Sequence, residues 1–372
     1  MKKSLFPRVL ARVVTRAVIG VALTCASVLA AAAHDDRHFV YTLNNAQGDN
    51  RVLVLEQRSN GSLVNVDSVS TGGTGAGANL GSQGALALSH DGRWLFAVNA
   101  GSNSLSTFEV DDERLKLVST IASGGAIPIS VTSHGNLVYV LNAGGEGNIS
   151  GFTIGRGGRL TPIKHSTQGL GGSATGPAEI KFSNGGEFLI VTEKSVNQLA
   201  LFEVDDGVAR AATFAPSAGT TPFGFDIDPR DHVIVSEAAS ASASSYKLRE
   251  WSDDLDVISA AVATGQLAPC WLITTPNGRF AYTGNAGSGT ITAFAIGRGG
   301  LLQRLSDSGA DGSTGAGSHT IDLAVSPDGR FLYALANVGQ SVTTFRIAHD
   351  GRLTPVGQFV GVPVSTVGLV AR

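Results

Sequence analysis

Two glutamates carry the most suggestive chemistry in this sequence. Glu193 and Glu237 occupy equivalent turns of neighbouring repeats, where other repeats place Ala100, Ala143 or Ala286. Two carboxylates facing one cleft can split their proton affinities and serve as acid and base. Held apart, they are solvated loop charges. Lys181 and Asp226 recur one repeat apart on inner segments, which suits either a ligand contact or an ion pair between repeats. Glu179, Trp271 and Asp322 share a second level. An aromatic ring between carboxylates can stack on a sugar or lactone ring, or pack in the core. His319, in Ser318-His319-Thr320, follows a Gly-rich loop and is the histidine best placed to move a proton; the alternative is a solvated loop side chain. No cofactor or metal is expected, with one alternative: calcium, if the oxygens of Glu193, Glu237, Asp226 and Asp322 converge. His90 and His134 read as turn residues, and His34 has no second metal ligand fixed by spacing. The sequence has no Gly-x-Ser-x-Gly elbow, phosphate-binding loop or Cys-x-x-Cys pair.

These residues sit on a recurring phrase. An apolar strand leads into a Ser/Thr-Pro-Asp-Gly-like turn, then a second strand, an Asn-Ala-Gly-like turn and further strands. Ala85 to Arg93 leads into Trp94 to Gly101, Leu272 to Arg279 into Phe280 to Gly287, and Leu323 to Arg330 into Phe331-Leu332-Tyr333. Asp-Gly and Asn-Gly supply the positive φ of tight hairpins, and the flanking runs are β-branched and aromatic. Each unit is a four-stranded antiparallel sheet of about 45–50 residues, the size of a propeller blade. Inner strands begin near Ala85, Ile129, Ile180, Phe225, Leu272 and Leu323. A seventh, Thr366 to Ala371, has no strands after it, and the three strands from Phe39 to Val66 have no inner partner. Joining the two ends closes a seven-bladed, all-β propeller and leaves no open sheet edge. The stretch from Leu248 to Val257 links or extends strands rather than forming a helix. The Gly/Ser/Thr-rich pieces Ser70–Gly84, Gly169–Gly176 and Gly309–Ser318 are expected to be mobile loops between blades.

Composition agrees with that frame. The 372 residues include 48 glycines, which disfavour long helices, and the 42% hydrophobic content supports a core. Residues 1–33 have the layout of a secretory signal: basic residues from Lys2 to Arg16, an apolar run from Ala17 to Ala30, and a small-residue cleavage site at Ala31-Ala32-Ala33. A retained anchor and lipidation at Cys25 are the alternatives. Cleavage leaves residues 34–372 as one propeller domain, periplasmic or secreted and without a membrane span. That chain has 22 basic and 30 acidic residues, so nucleic acid is not an expected partner. Cys270 is then its single cysteine and is expected to pack as a small apolar residue. A monomer with a small lactone or carbohydrate-like ligand is the expected working form.

Ser326 to Tyr333 (Ser-Pro-Asp-Gly-Arg-Phe-Leu-Tyr) and Gly351 to Pro355 (Gly-Arg-Leu-Thr-Pro), with Thr221 to Phe225 and Ala268 to Trp271, resemble the propeller lactonase family. That family contains bacterial 6-phosphogluconolactonases and fungal carboxymuconate cyclases. The resemblance implies a site at the mouth of the central channel, built from a His, an Arg and a Glu. The Glu falls on Glu237, but the His position falls near Ala178 and the Arg position near Phe223. Neither replacement can bind a phosphate or transfer a proton, so a phosphorylated lactone is not the expected substrate. The resemblance leaves two functions open. One is opening or forming a small lactone, with Glu237 as base and Glu193 or His319 as acid. The other is a propeller that binds a ligand or protein without turnover.

Overall fold

A computed structural model describes residues 38–111, 114–249 and 254–372. The leader, Cys25 and His34 lie outside the described residues. Contacts divide the chain into Met1–Asp36 and Arg37–Arg372, and everything below concerns the second unit.

Seven antiparallel sheets follow one another, each a meander from an inner to an outer strand. In three of them the outer strand is broken into two short pieces. Blade 1 is the closing blade: Phe39–Leu43, Arg51–Gln57 and Leu63–Ser70 are completed by Val367–Ala371. Thr42 pairs with Leu369, and the Thr42 hydroxyl donates to the Gly368 carbonyl at 2.6 Å. The two ends of the domain therefore lock each other, as the unpaired strands at each end of the sequence require.

The turn phrases act as expected. In blade 2, the Ser89 hydroxyl donates to Asp91 at 2.6 Å and accepts from the Trp94 N–H at 2.9 Å, while Gly92 takes the left-handed φ of 67°. Blade 7 repeats this with Ser326, Asp328, Phe331 and Gly329. Inner strands begin up to three residues earlier than the periodicity suggests, at Pro128, Pro177, Pro222, Pro269 and Thr320. Proline lacks an N–H and fits a first strand position. The residue before each of these five has positive φ: Ile127, Gly176, Thr221, Ala268 and His319. The described ends of the stretch expected to link or extend strands belong to two paired strands, Ser242–Leu248 and Leu255–Ala263.

The Gly-rich loops are not the loose connectors expected. Thr71, Ser82, Gln83, Thr175, Thr314 and Ser318 are buried within them. Each crossover runs from the outer strand of one blade to the inner strand of the next. Most span five to seven residues, such as 123–127, 170–176, 217–221 and 264–268. The crossover into blade 2, residues 71–85, spans fifteen.

Candidate functional site

The structure places Glu193 and Glu237 at the last position of the second strands of blades 4 and 5, Phe188–Glu193 and His232–Glu237. Their register partners are Gln198 and Ser242, just as Asn99 faces Ser104, Asn142 faces Asn148 and Asn285 faces Thr290. Their equivalents are thus Asn99, Asn142 and Asn285, one residue before the alanines the sequence suggested. They are not solvated charges either, since both are fully buried. Glu237 Oε1 accepts from the Gly219 N–H (2.6 Å), the Ser217 hydroxyl (3.1 Å) and the Tyr246 hydroxyl (3.4 Å), and Oε2 accepts from Ser242 (2.7 Å). Glu193 accepts from the Gly171 N–H (3.0 Å) and Gln198 Nε2 (2.6 Å). Each carboxylate clamps the crossover that leads into its own blade, and the two sets of partners do not overlap. His319 is exposed, at the left-handed residue before the inner strand of blade 7.

The channel wall holds the other candidates. Lys181 Nζ pairs with Asp226 at 2.5 Å, and the second oxygen of Asp226 accepts from the Thr274 N–H (2.8 Å) and hydroxyl (2.7 Å). This chain ties the inner strands of blades 4, 5 and 6. Asp226 and Glu179 outweigh the effect of burial on Lys181 and hold its amine above the usual value. Glu179 accepts from the Phe225 N–H at 2.7 Å. Burial raises the Glu179 and Asp322 carboxyls well above the usual range, and nearby Lys181 offsets this only in part. Both are therefore protonated over a range where an ordinary carboxyl is not. Among the described residues no three His, Cys, Asp or Glu side chains are grouped to hold a metal ion.

Trp271 is buried, with its ring centroid 4.8 Å from that of Phe223. Beside this pair lies Lys194, a residue the sequence did not single out. Its Nζ sits 4.6 Å from the Phe223 centroid. Among the described residues no carboxylate pairs with it, and burial pulls its pKa down to about 8. Cys270 lies close enough to feel that amine, and burial pushes its thiol up to about 12.

This cluster is covered by the long crossover. Lys194 Nζ donates to the Gly81 carbonyl at 2.5 Å, and Trp271 Nε1 donates to the Ser82 carbonyl at 2.9 Å. The Gln83 side chain donates to the Leu272 carbonyl (2.7 Å) and accepts from the Leu272 N–H (2.9 Å). Its own N–H donates to the Ala178 carbonyl at 3.1 Å, while Ser82 reaches Ile129 and Gly84 reaches Val131. Residues 81–84 thus touch blades 3, 4 and 6 and lie across their inner strands. Gly224, on blade 5, makes the room: a Cβ there would overlap Gln83 Oε1.

Comparison with known proteins agrees with this architecture. The family model described as lactonase, 7-bladed beta-propeller matches residues 31–171, 146–271 and 268–361. A 6-phosphogluconolactonase of Formosa agariphila is 25% identical over 207 residues, which cover 49% of this chain and 56% of that protein. The match therefore spans little more than half the length of that relative. Among solved structures, the periplasmic gluconolactonase PpgL of Pseudomonas aeruginosa superposes with a TM-score of 0.72 at 18% identity, covering 89% of this chain and 98% of that one. A Lactobacillus plantarum protein gives 0.72 at 16% identity, with 90% and 99% covered. At such identities the likeness speaks for the fold alone.

Proposed function

The chain belongs to the lactonase family of seven-bladed β-propellers, and from that premise we propose that it hydrolyses a small, unphosphorylated sugar-type lactone at the channel mouth, outside the cytoplasm. The observation that carries this reading is Lys194. An amine with a pKa of about 8, beside the Phe223–Trp271 pair and without a carboxylate partner among the described residues, is poised for proton transfer near neutral pH. In its neutral form it takes a proton from water as the water oxygen attacks the lactone carbonyl carbon. The carbonyl π electrons move to oxygen. When they return, the bond to the ring oxygen breaks, and Lys194 gives its proton to that leaving oxygen. The products are the open hydroxy acid and free enzyme. Asp322 and Glu179 offer their carboxyl groups as further hydrogen-bonding partners for substrate hydroxyls. A phosphate lacks the bidentate partner it would need, because Phe223 stands at the family's Arg position and Lys181 already pairs with Asp226. The leader-like residues 1–33 and the periplasmic gluconolactonase among its structural neighbours support work outside the cytoplasm.

The test is a panel of phosphorylated and unphosphorylated lactones, with Lys194→Met and Glu237→Gln. Turnover of an unphosphorylated lactone, rising through about pH 8 and falling at least about 100-fold in kcat/KM for Lys194→Met, is the expected result. Wild-type rates in Lys194→Met, with loss in a folded Glu237→Gln, would return the base to Glu237. One observation favours a second reading, a propeller that binds without turnover: residues 81–84 already cover the cluster. That reading predicts saturable binding and no hydrolysis of any lactone in the panel.

A further inference from the structure

The crossover into blade 2 begins as an ordinary one. The Thr71 hydroxyl donates to Asn99 Oδ1 at 2.6 Å and Gly73 packs against the same side chain. Ser217 and Gly219 meet Glu237 in the same way, as Ser123 and Gly125 meet Asn142. Thr71 to Gly73 thus complete the usual clamp. Residues 74–84 are an insertion, and its far end turns inward over Lys194 and Trp271.

What residues 81–84 offer the mouth resembles what a ligand would offer. Two carbonyl oxygens meet the Lys194 amine and the Trp271 indole N–H. One carboxamide meets both the N–H and the carbonyl of Leu272. These are contacts through polar atoms, with no large apolar side chain among residues 81–84. Left-handed glycines at Gly77, Gly81 and Gly84 give the segment backbone freedom at both ends. Buried donors and acceptors on the wall need partners whether the segment is in or out.

We propose that residues 81–84 are a displaceable internal ligand, hinged at Gly81 and Gly84 while Leu80 stays packed against the neighbouring cores, and that the place they vacate takes a compact polyhydroxylated molecule bearing a carbonyl or carboxylate. Its carbonyl oxygen takes the Lys194 and Trp271 donors, and its hydroxyls, each both donor and acceptor, take the N–H and carbonyl of Leu272. The identity of the ligand rests on the lactonase reading above; displacement of the segment does not.

Hydrogen exchange followed by mass spectrometry tests this on the chain from residue 34, with gluconate as a stable probe of the product class. Gluconate is expected to speed exchange in a peptide covering 79–85, whose Gln83 N–H leaves Ala178. It is expected to slow exchange in a peptide covering 270–274 of Gln83→Ala, whose Leu272 N–H has lost the Gln83 oxygen and gains one from the ligand. Gln83→Ala and, independently, Gly224→Ala are expected to raise exchange of 79–85 at least about tenfold, with the rest of each blade unchanged. Absence of the quickening of 79–85 in wild type together with absence of the slowing of 270–274 in Gln83→Ala, or slowing of both peptides in wild type, overturns the proposal. Opposite shifts without lactone turnover leave the displaceable segment standing and remove the hydrolase. Turnover without any shift does the reverse.

Discussion

The chain enters blade 5 on residues 217–221 and blade 2 on residues 71–85. Both crossovers are built from small residues, and their first three residues meet the same kind of clamp. The short one goes directly to its inner strand, held by Glu237 through donors on Ser217 and Gly219. The long one uses a lighter clamp, Asn99, and lays its extra residues across the inner strands of blades 3, 4 and 6. The difference teaches that glycine-rich composition does not by itself mean a loose loop. Length beyond what the crossover needs decides where the chain goes. The carboxylates that looked catalytic in sequence serve the short crossovers, and the loop that looked idle sits on the groups with usable chemistry.

The largest effect is expected at the short crossover. Glu237→Ala removes an acceptor of four hydrogen bonds and leaves the Gly219 N–H and three hydroxyls around a buried void. A loss of about 2–4 kcal/mol in urea-unfolding stability is expected. A change below about 0.5 kcal/mol would break the comparison, because Glu237 would then not be holding the crossover.

Gln83→Ala comes next, at about 1 kcal/mol, since channel water can hydrate the two Leu272 groups it frees. Its effect on local exchange of 79–85 is expected to exceed its effect on global stability. If the two changed equally, the inserted segment would be part of the cooperative core and the two crossovers would not differ in kind. Glu193→Gln is smaller still. The amide keeps an oxygen for the Gly171 N–H, and a flip of the Gln198 amide restores the second contact. The expected cost is under about 1 kcal/mol.

Much of the fold was legible because it is written locally. Ser89-His90-Asp91-Gly92 and Ser326-Pro327-Asp328-Gly329 fix their own hairpins, so strand order and blade number follow from counting. Ring closure was legible from unpaired strands at both ends, and Val367–Ala371 pairs with Phe39–Leu43 accordingly. Lys181–Asp226 was also readable as an ion pair between repeats, since equal levels on neighbouring inner strands must adjoin. The mouth was not legible. Glu193-Lys194-Ser195 reads as a polar turn, and the groups that meet the amine, Phe223 from blade 5 and Gly81 from the blade 2 crossover among them, are distant in sequence. A signal for the inserted segment was present: the spacing from Leu63–Ser70 to the next inner strand is about twice that of any other crossover.

The last effect separates the two crossovers by pH. Lys194 has a folded pKa of about 8, below its unfolded value of 10.5, because its surroundings keep water away. Between those values the unfolded chain binds more protons than the folded one, so global stability rises with pH across that window and is level below it. Lys194→Met removes this rise. The local effect has the opposite sign. As Lys194 loses its proton, its hydrogen bond to the Gly81 carbonyl ceases to be charge-assisted and weakens. Exchange in 79–85, corrected for intrinsic rate, is therefore expected to quicken above about pH 8 while the folded chain as a whole becomes harder to unfold. The crossover into blade 5 is held by Glu237, which has no such amine among its hydrogen-bond partners, and its exchange is expected to stay level. Parallel pH profiles for 79–85 and 217–221 would mean that Lys194 does not hold the inserted segment, and the distinction between a fixed and a releasable crossover would fall.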